Sequence, residues 1–141
     1  MKAYTLIEII LSISLFSLII GLSVPVYNDY QKRAEIESAA ELTAVSLTSA
    51  QQSARGMEQD SQWGVHFSGN TATIFKGNNF ATRDTNEDVV YTLNSGNNYS
   101  GLSDVIFEKL SGNTLNSGIL TISNNTKTVN LTINDKGSVL Y

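Results

Sequence analysis

Residues 6–26 read LIEIILSISLFSLIIGLSVPV. Glu8 is the one charge in this run, and a few serines are its other polar side chains. As a helix rising 1.5 Å per residue it extends about 30 Å, the thickness of a bilayer's hydrocarbon core. A single helix satisfies its own backbone in lipid. The stretch therefore predicts a membrane span, with a separate body beyond it. Lys2 precedes the run and Lys32 and Arg33 follow it. Under the positive-inside rule Lys2 favours a cytoplasmic N-terminus. The rival is a cleaved secretory signal, with an apolar stretch of about 7–15 residues and a small-residue cleavage site. Here the run is longer and passes into Pro25-Val26-Tyr27-Asn28-Asp29-Tyr30, with no Ala-x-Ala site.

From Tyr27 the pattern turns amphipathic. Ile36, Ala40, Thr43, Leu47, Ala50 and Ala54 alternate spacings of four and three, which places them on one helical face. Ala39, Ala44 and Val45 widen that stripe, and Lys32, Glu35, Glu37, Glu41 and Gln51 form the opposite face. Gly56 after Arg55 supplies a left-handed stop. The expectation is one long helix from about Tyr4 to Arg55. Pro25 kinks it, because proline removes a backbone donor and crowds the preceding turn.

After Gly56 the period becomes two. Trp63, Val65 and Phe67 alternate, then Ala72 and Ile74 follow the turn Ser68-Gly69-Asn70. Val89, Tyr91 and Leu93 alternate, as do Val105 and Phe107. Residues 119–123, 128–133 and 138–141 complete seven short strands, separated near the end by Asn124-Asn125 and Asp135-Lys136-Gly137. Residues 94–103 read as a long loop. The prediction is an α+β chain: a β-meander in one antiparallel sheet or two, packed on the alanine-rich stripe, with no second helix. The segments are 4–26 for the span, 27–56 for the amphipathic continuation and 57–141 for the β-rich domain.

Composition narrows the function. The net charge is −4 and charged residues are 16% of the chain, so no basic cluster exists to attract nucleic acid. There is no cysteine, which an exported protein need not carry. The second half is rich in Asn, Ser, Thr and Gly, as suits a turn-rich β domain. A disordered tail would share that composition but not the continuing apolar alternation.

The block Ala3-Tyr4-Thr5-Leu6-Ile7-Glu8 opening this apolar run resembles the class III signal of type IV prepilins and type II secretion pseudopilins. The resemblance covers about the first thirty residues. It implies that residues 1–3 are a leader removed by a prepilin peptidase between Ala3 and Tyr4. It implies N-methylation of the new Tyr4 amine, and it places Pro25 at the family's helix-kinking proline. Two positions depart from the family pattern: Ala3 stands where glycine is usual, and Tyr4 where phenylalanine is. Alanine is also small, as a pocket that takes glycine requires. A second resemblance lies in Gln62-Trp63-Gly64-Val65-His66-Phe67 and Ile74-Phe75-Lys76-Gly77-Asn78-Asn79-Phe80. These look like the H-type minor pseudopilins and related minor pilins, which carry a β-rich domain after a long helix. The implied partners are other pilin or pseudopilin subunits, the peptidase, an inner-membrane assembly platform, and membrane lipid before assembly. No cofactor is implied.

Glu8 is the residue with the sharpest physical question. A carboxylate at the centre of a span costs about 2.5–3.5 kcal/mol on insertion scales. The resemblance implies that Glu8 makes an assembly salt bridge with the N-terminal amine of a neighbouring subunit. Three other readings are physical. Tyr4 and Glu8 are one turn apart, so Glu8 could neutralise its own chain's amine. It could stay protonated, or sit high enough to reach headgroups. Ser12, Ser14, Ser17, Gly21 and Ser23 could permit close helix contacts or be ordinary tolerated small residues of a span.

Other constellations carry less. His66 is the sole histidine and has no companion for a metal, so it reads as a partly exposed strand residue. Asp84-Thr85-Asn86-Glu87-Asp88 starts like a calcium loop but has Val89 where the glycine belongs and Ser95 where the bidentate glutamate belongs. It reads as an acidic loop before a strand. Asn98-Tyr99-Ser100, Asn124-Asn125-Thr126 and Asn130-Leu131-Thr132 match the glycosylation pattern, as an Asn-rich chain does by accident. No nucleophile–base pair, phosphate loop or carboxylate pair appears, so the expectation is not an enzyme. It is a filament subunit, minor or major. The alternative is a membrane-anchored monomer that uses its β domain as an adhesin or receptor.

Overall fold

The computed structural model describes residues 4–94 and 96–140; the side chains of residues 22–25 fall outside that description. A single helix, α1 (Leu6–Arg55, fifty residues), runs about 75 Å. It is assigned without a break through Pro25; the expected kink there lies outside the described residues. Tyr4 and Thr5 precede the helix, and Thr5 is extended (φ −81°, ψ 151°), so α1 starts two residues later than expected.

The other end needs a correction. Gly56 is right-handed (φ −71°, ψ −2°) because its N–H still donates to Gln52 O at 2.7 Å. The chain reverses at Met57, whose φ is +54°. Ala54 O accepts from Leu110 N–H at 3.1 Å, so a distant loop helps close the helix end.

Eight strands follow: β1 (Trp63–Ser68), β2 (Thr71–Lys76), β3 (Asp84–Thr92), β4 (Asn98–Gly101), β5 (Asp104–Phe107), β6 (Gly118–Ser123), β7 (Thr128–Ile133) and β8 (Val139–Leu140). They form two four-stranded antiparallel sheets, ordered β3-β2-β1-β5 and β4-β6-β7-β8. The architecture is α+β, one long helix packed on both sheets. It is not one meander. β1-β2-β3 and β6-β7-β8 are meanders, while β4 and β5 send one continuous stretch across from the second sheet to the first.

That crossing explains why residues 94–103 are not a loop. Tyr99 N–H donates to Gly69 O and Phe67 N–H to Ser103 O, both at 2.7 Å, so the corner stitches the sheets together. Gly101 turns it with φ +94°, and a Cβ there would fall 2.5 Å from Ile119 O. Only glycine suits both demands. The acidic stretch is also corrected: residues 84–88 belong to β3. Asp84 pairs with Lys76 and Val89 with Ile74, so residues 85–88 bulge opposite Phe75 alone. Arg83 Nε donates to both Asp88 oxygens, at 3.0 and 2.8 Å, and holds the bulge closed.

The core lies between helix and sheets. Ile36, Ala39, Ala40, Thr43, Leu47, Ala50 and Ala54 are buried, as their spacing predicts. Ala44 is half-buried, whereas Val45 is exposed. Val45 lies two positions from both Thr43 and Leu47, roughly 200° round the helix from each. Facing the stripe are Val65, Phe67, Ala72, Ile74, Val105, Phe107, Leu120, Ile122, Leu131 and Ile133, all buried and all alternating along their strands. The alanines keep the helix surface low, so the larger strand side chains fill the gap. Thr43 donates to Ala39 O at 2.7 Å, and its oxygen accepts from the Tyr99 hydroxyl at 2.7 Å. The buried hydroxyls are thereby satisfied. Burial pushes the Tyr99 pKa up, opposed by that bond to Thr43.

Candidate functional site

Every described side chain from Tyr4 to Gly21 is exposed, including Leu6, Ile7, Leu11, Phe16 and Ile20. This helix is long and apolar enough to cross a membrane. Its polar groups are arranged for that role. Ser12 donates to Glu8 O at 2.7 Å, Ser14 to Leu11 O at 2.8 Å and Ser17 to Ile13 O at 2.8 Å. Each of these three hydroxyls folds back on the preceding turn and is satisfied within the helix. This favours neither helix contact nor simple tolerance, since both benefit from satisfied hydroxyls.

Tyr4, Glu8, Ile9, Ser12, Ile13 and Phe16 line one shallow groove along the first turns. Glu8 sits in the first helical turn, where its charge complements the helix dipole. Among the described residues its carboxylate has no hydrogen-bond or ion-pair partner. Tyr4 lies ahead of the helix and shares the groove with Glu8. Ala3, the other half of the expected cleavage site, lies outside the described residues, as does the side chain of Pro25. The groove thus brings Tyr4 and Glu8 onto one face at the very start of the rod.

Two further constellations escaped the sequence reading. On the outer face of the first sheet, His66 on β1 lies opposite Asp104 on β5, and its Nδ1–H donates to Asp104 Oδ1 at 2.7 Å. The imidazole stacks on Phe80 with centroids 3.7 Å apart and planes 12° apart. The Arg83 guanidinium carbon lies 3.7 Å from the same Phe80 centroid. Both cannot occupy one face at those distances, so Phe80 is sandwiched between them. Beneath it Phe75 is fully buried, its ring edge-on to Phe80. This is a small second core that clamps residues 77–83 to the sheet. It holds no nucleophile, and among the described residues no three metal-ligating side chains gather anywhere.

The second constellation is at the far end of the helix. Gln51 was expected on the polar outer face; instead it is half-buried, and its Nε2 donates to Gly112 O and Lys136 O, both at 2.8 Å. One side chain thereby ties together the β5–β6 loop and the β7–β8 turn. At the near end of the domain, Asn124 Nδ2 donates to Lys32 O at 3.0 Å and Lys127 Nζ pairs with Glu37 at 2.6 Å. The Lys127 hydrogen bond and charge hold the Glu37 carboxyl below its usual range. No protein-family model matches the chain, and neither a curated protein nor a solved structure matches it.

Proposed function

We propose that this chain is a structural subunit, a minor pilin or pseudopilin, of a type IV pilus-like or type II secretion filament. Before assembly it stands in a bacterial inner membrane as a single span, with the β domain outside. A prepilin peptidase removes residues 1–3, Tyr4 becomes the methylated first residue, and assembly extracts the apolar arm from lipid into a bundle of like helices. Glu8 guides that step by pairing with a neighbour's N-terminal amine.

The observation that carries this reading is the Glu8 carboxylate, without a partner among the described residues, beside Tyr4. It stands at the head of an exposed apolar helix that continues without interruption into the stripe covering the β domain. A plain anchor has no use for a carboxylate with an insertion cost. A rod joined rigidly to its domain, by contrast, transmits position from a helical bundle to the filament surface.

The mature chain is expected to lack residues 1–3 and to carry a methyl group on Tyr4, as read by mass and N-terminal sequencing. A chain still beginning at Met1 in cells with an active prepilin peptidase rejects the processing step. Glu8→Val is expected to leave the protein inserted, cleaved and folded, while its share in sheared filaments falls. An unchanged share in sheared filaments rejects the pairing of Glu8 with a neighbour's amine. Wild-type protein found only as membrane-bound monomer leaves the adhesin or receptor reading in place of this one.

A further inference from the structure

Asn97, between β3 and β4, is only 3% exposed. Its backbone N–H donates to Asn94 O at 3.1 Å. Its side-chain amide, with donors and an acceptor to place, has no hydrogen-bond partner among the described residues. Asn124 shows the contrast. Its Oδ1 accepts from Thr126 N–H at 2.9 Å and Lys127 N–H at 2.8 Å, and its Nδ2 donates to Lys32 O at 3.0 Å. Among the described residues no unpartnered side-chain nitrogen or oxygen is sealed from solvent, so the Asn97 amide keeps its small remaining surface toward an opening. Two hollows adjoin there, of about 330 Å³ and 160 Å³, and Asn97 and Glu35 line both. Together they make one cleft between α1 and the β3–β4 and β6–β7 connections.

The lining decides what fits. Ala39, Leu42 and Leu93 give the cleft an apolar side. Ser38, Asn94 and Asn125 add neutral groups that donate and accept hydrogen bonds. Glu35 and Lys32 are the only charged lining residues, one of each sign, so no net charge draws a polyphosphate or a polyamine. A sugar ring is neutral, carries adjacent hydroxyls that both donate and accept, and offers a C–H face to apolar side chains. We propose that this cleft is a saccharide-binding site. The two Glu35 oxygens accept from neighbouring hydroxyls, and the Asn97 amide both donates to and accepts from the ring. An amide left nearly dry costs stability in the empty protein, and a ligand that supplies its bonds recovers that cost. Every residue of the cleft lies beyond the apolar run, so the inference stands apart from the filament reading.

The test uses the full chain in micelles of dodecylphosphocholine, whose headgroup is not a sugar. Saturation-transfer NMR reads a panel of glucose, galactose, mannose, N-acetylglucosamine, maltose and lactose, with an uncharged peptide for comparison. At least one sugar is expected to receive saturation, and the peptide none. Asn97→Leu should weaken that binding by about ten-fold or more while the thermal midpoint holds or rises, because an apolar group of similar shape replaces an unpartnered amide. A residue that only braces its turn would lose stability instead, and in that event Glu35→Gln decides alone. Glu35→Gln, at a half-buried position, should weaken binding by about ten-fold with the midpoint unchanged. Asn130→Ala, on β7 and outside the cleft, should leave binding as it is. No signal from any sugar overturns the proposal. An equal signal from the peptide overturns it too, as does a sugar signal that survives Glu35→Gln or a stably folded Asn97→Leu at full strength.

Discussion

Gln51 illustrates what a residue type can and cannot disclose. Its amide is polar, so in a helical pattern it is assigned to water. Its actual surroundings depend on two loops 61 and 85 residues further along the chain, both of which return to it. No local period encodes that return. The fit is close, since a Cβ on Gly137 would fall 2.3 Å from Gln51 Nε2. Gln51→Ala strips two carbonyls of their donor and should cost about 1–3 kcal/mol, read as a lower midpoint in urea. Gln52→Ala, at the exposed neighbouring position, should shift the midpoint little. His66 shows the same limit. Its place on a strand was legible from the alternation with Val65 and Phe67, but its pairing with Asp104 required the β1–β5 register. Gly101 is sharper still: Gly101→Ala meets both a positive φ and the Ile119 carbonyl, and should lower stability more than Gln51→Ala does.

The elements with a clean period were the ones the sequence disclosed. The stripe from Ile36 to Ala54 follows the helical spacing because a flat sheet surface presses along its length. Val45 was misassigned because apolar type was given more weight than angle. β4 was missed for a different reason: Asn98-Tyr99-Ser100-Gly101 has one large side chain, and its pairing comes from β6 and from the Tyr99–Thr43 bond to the helix. The stripe's small size is itself testable. Leu47→Ala should cost about 2–5 kcal/mol through lost burial and a cavity. Ala50→Leu should cost about 1–3 kcal/mol by forcing the helix off the sheets. Both are fully buried positions, so chemical denaturation reads each directly. The β6–β7 turn is tied to the helix by charge, and there pH acts. Lys127 depresses the folded-state pKa of Glu37. The turn's added stability is therefore present above the ordinary glutamate range and lost as pH falls through the folded value. Amide protection in residues 124–127, corrected for the intrinsic exchange rate at each pH, should fall on acidification, and Lys127→Ala should remove that dependence.

At the scale of the molecule, the division into arm and body was the most legible feature, because hydropathy changes texture at Tyr27 while the helix itself does not stop. The structure adds that the division is energetic. Among the described residues, every buried position of the helix lies at Ile36 or beyond. Among the described residues, the lowest side-chain tie between helix and sheets is Asn124 to the Lys32 carbonyl. Removing the arm therefore removes none of the core contacts seen among the described residues, and it also removes an apolar surface that aggregates in water. A chain beginning at Asn28 is expected to be soluble, β-rich by circular dichroism, and close to the full-length protein in thermal midpoint. Trp63 reports the native state, since its ring is buried and its Nε1 donates to Glu58 O at 3.2 Å. A chain beginning at Val45 should behave differently. It lacks Ile36, Ala39, Ala40 and Thr43, and with Thr43 the partner of Tyr99, so the upper half of both sheets would face water. That chain should be unfolded or molten, with Trp63 emission shifted to the red. If both shortened chains are unfolded, the β domain takes its stability from the filament and not from its own helix. If both fold, the sheets are self-sufficient and the helical roof is only an attachment. Native structure in the longer chain and its loss in the shorter one would place the folding boundary between Asn28 and Val45, where burial along the helix begins.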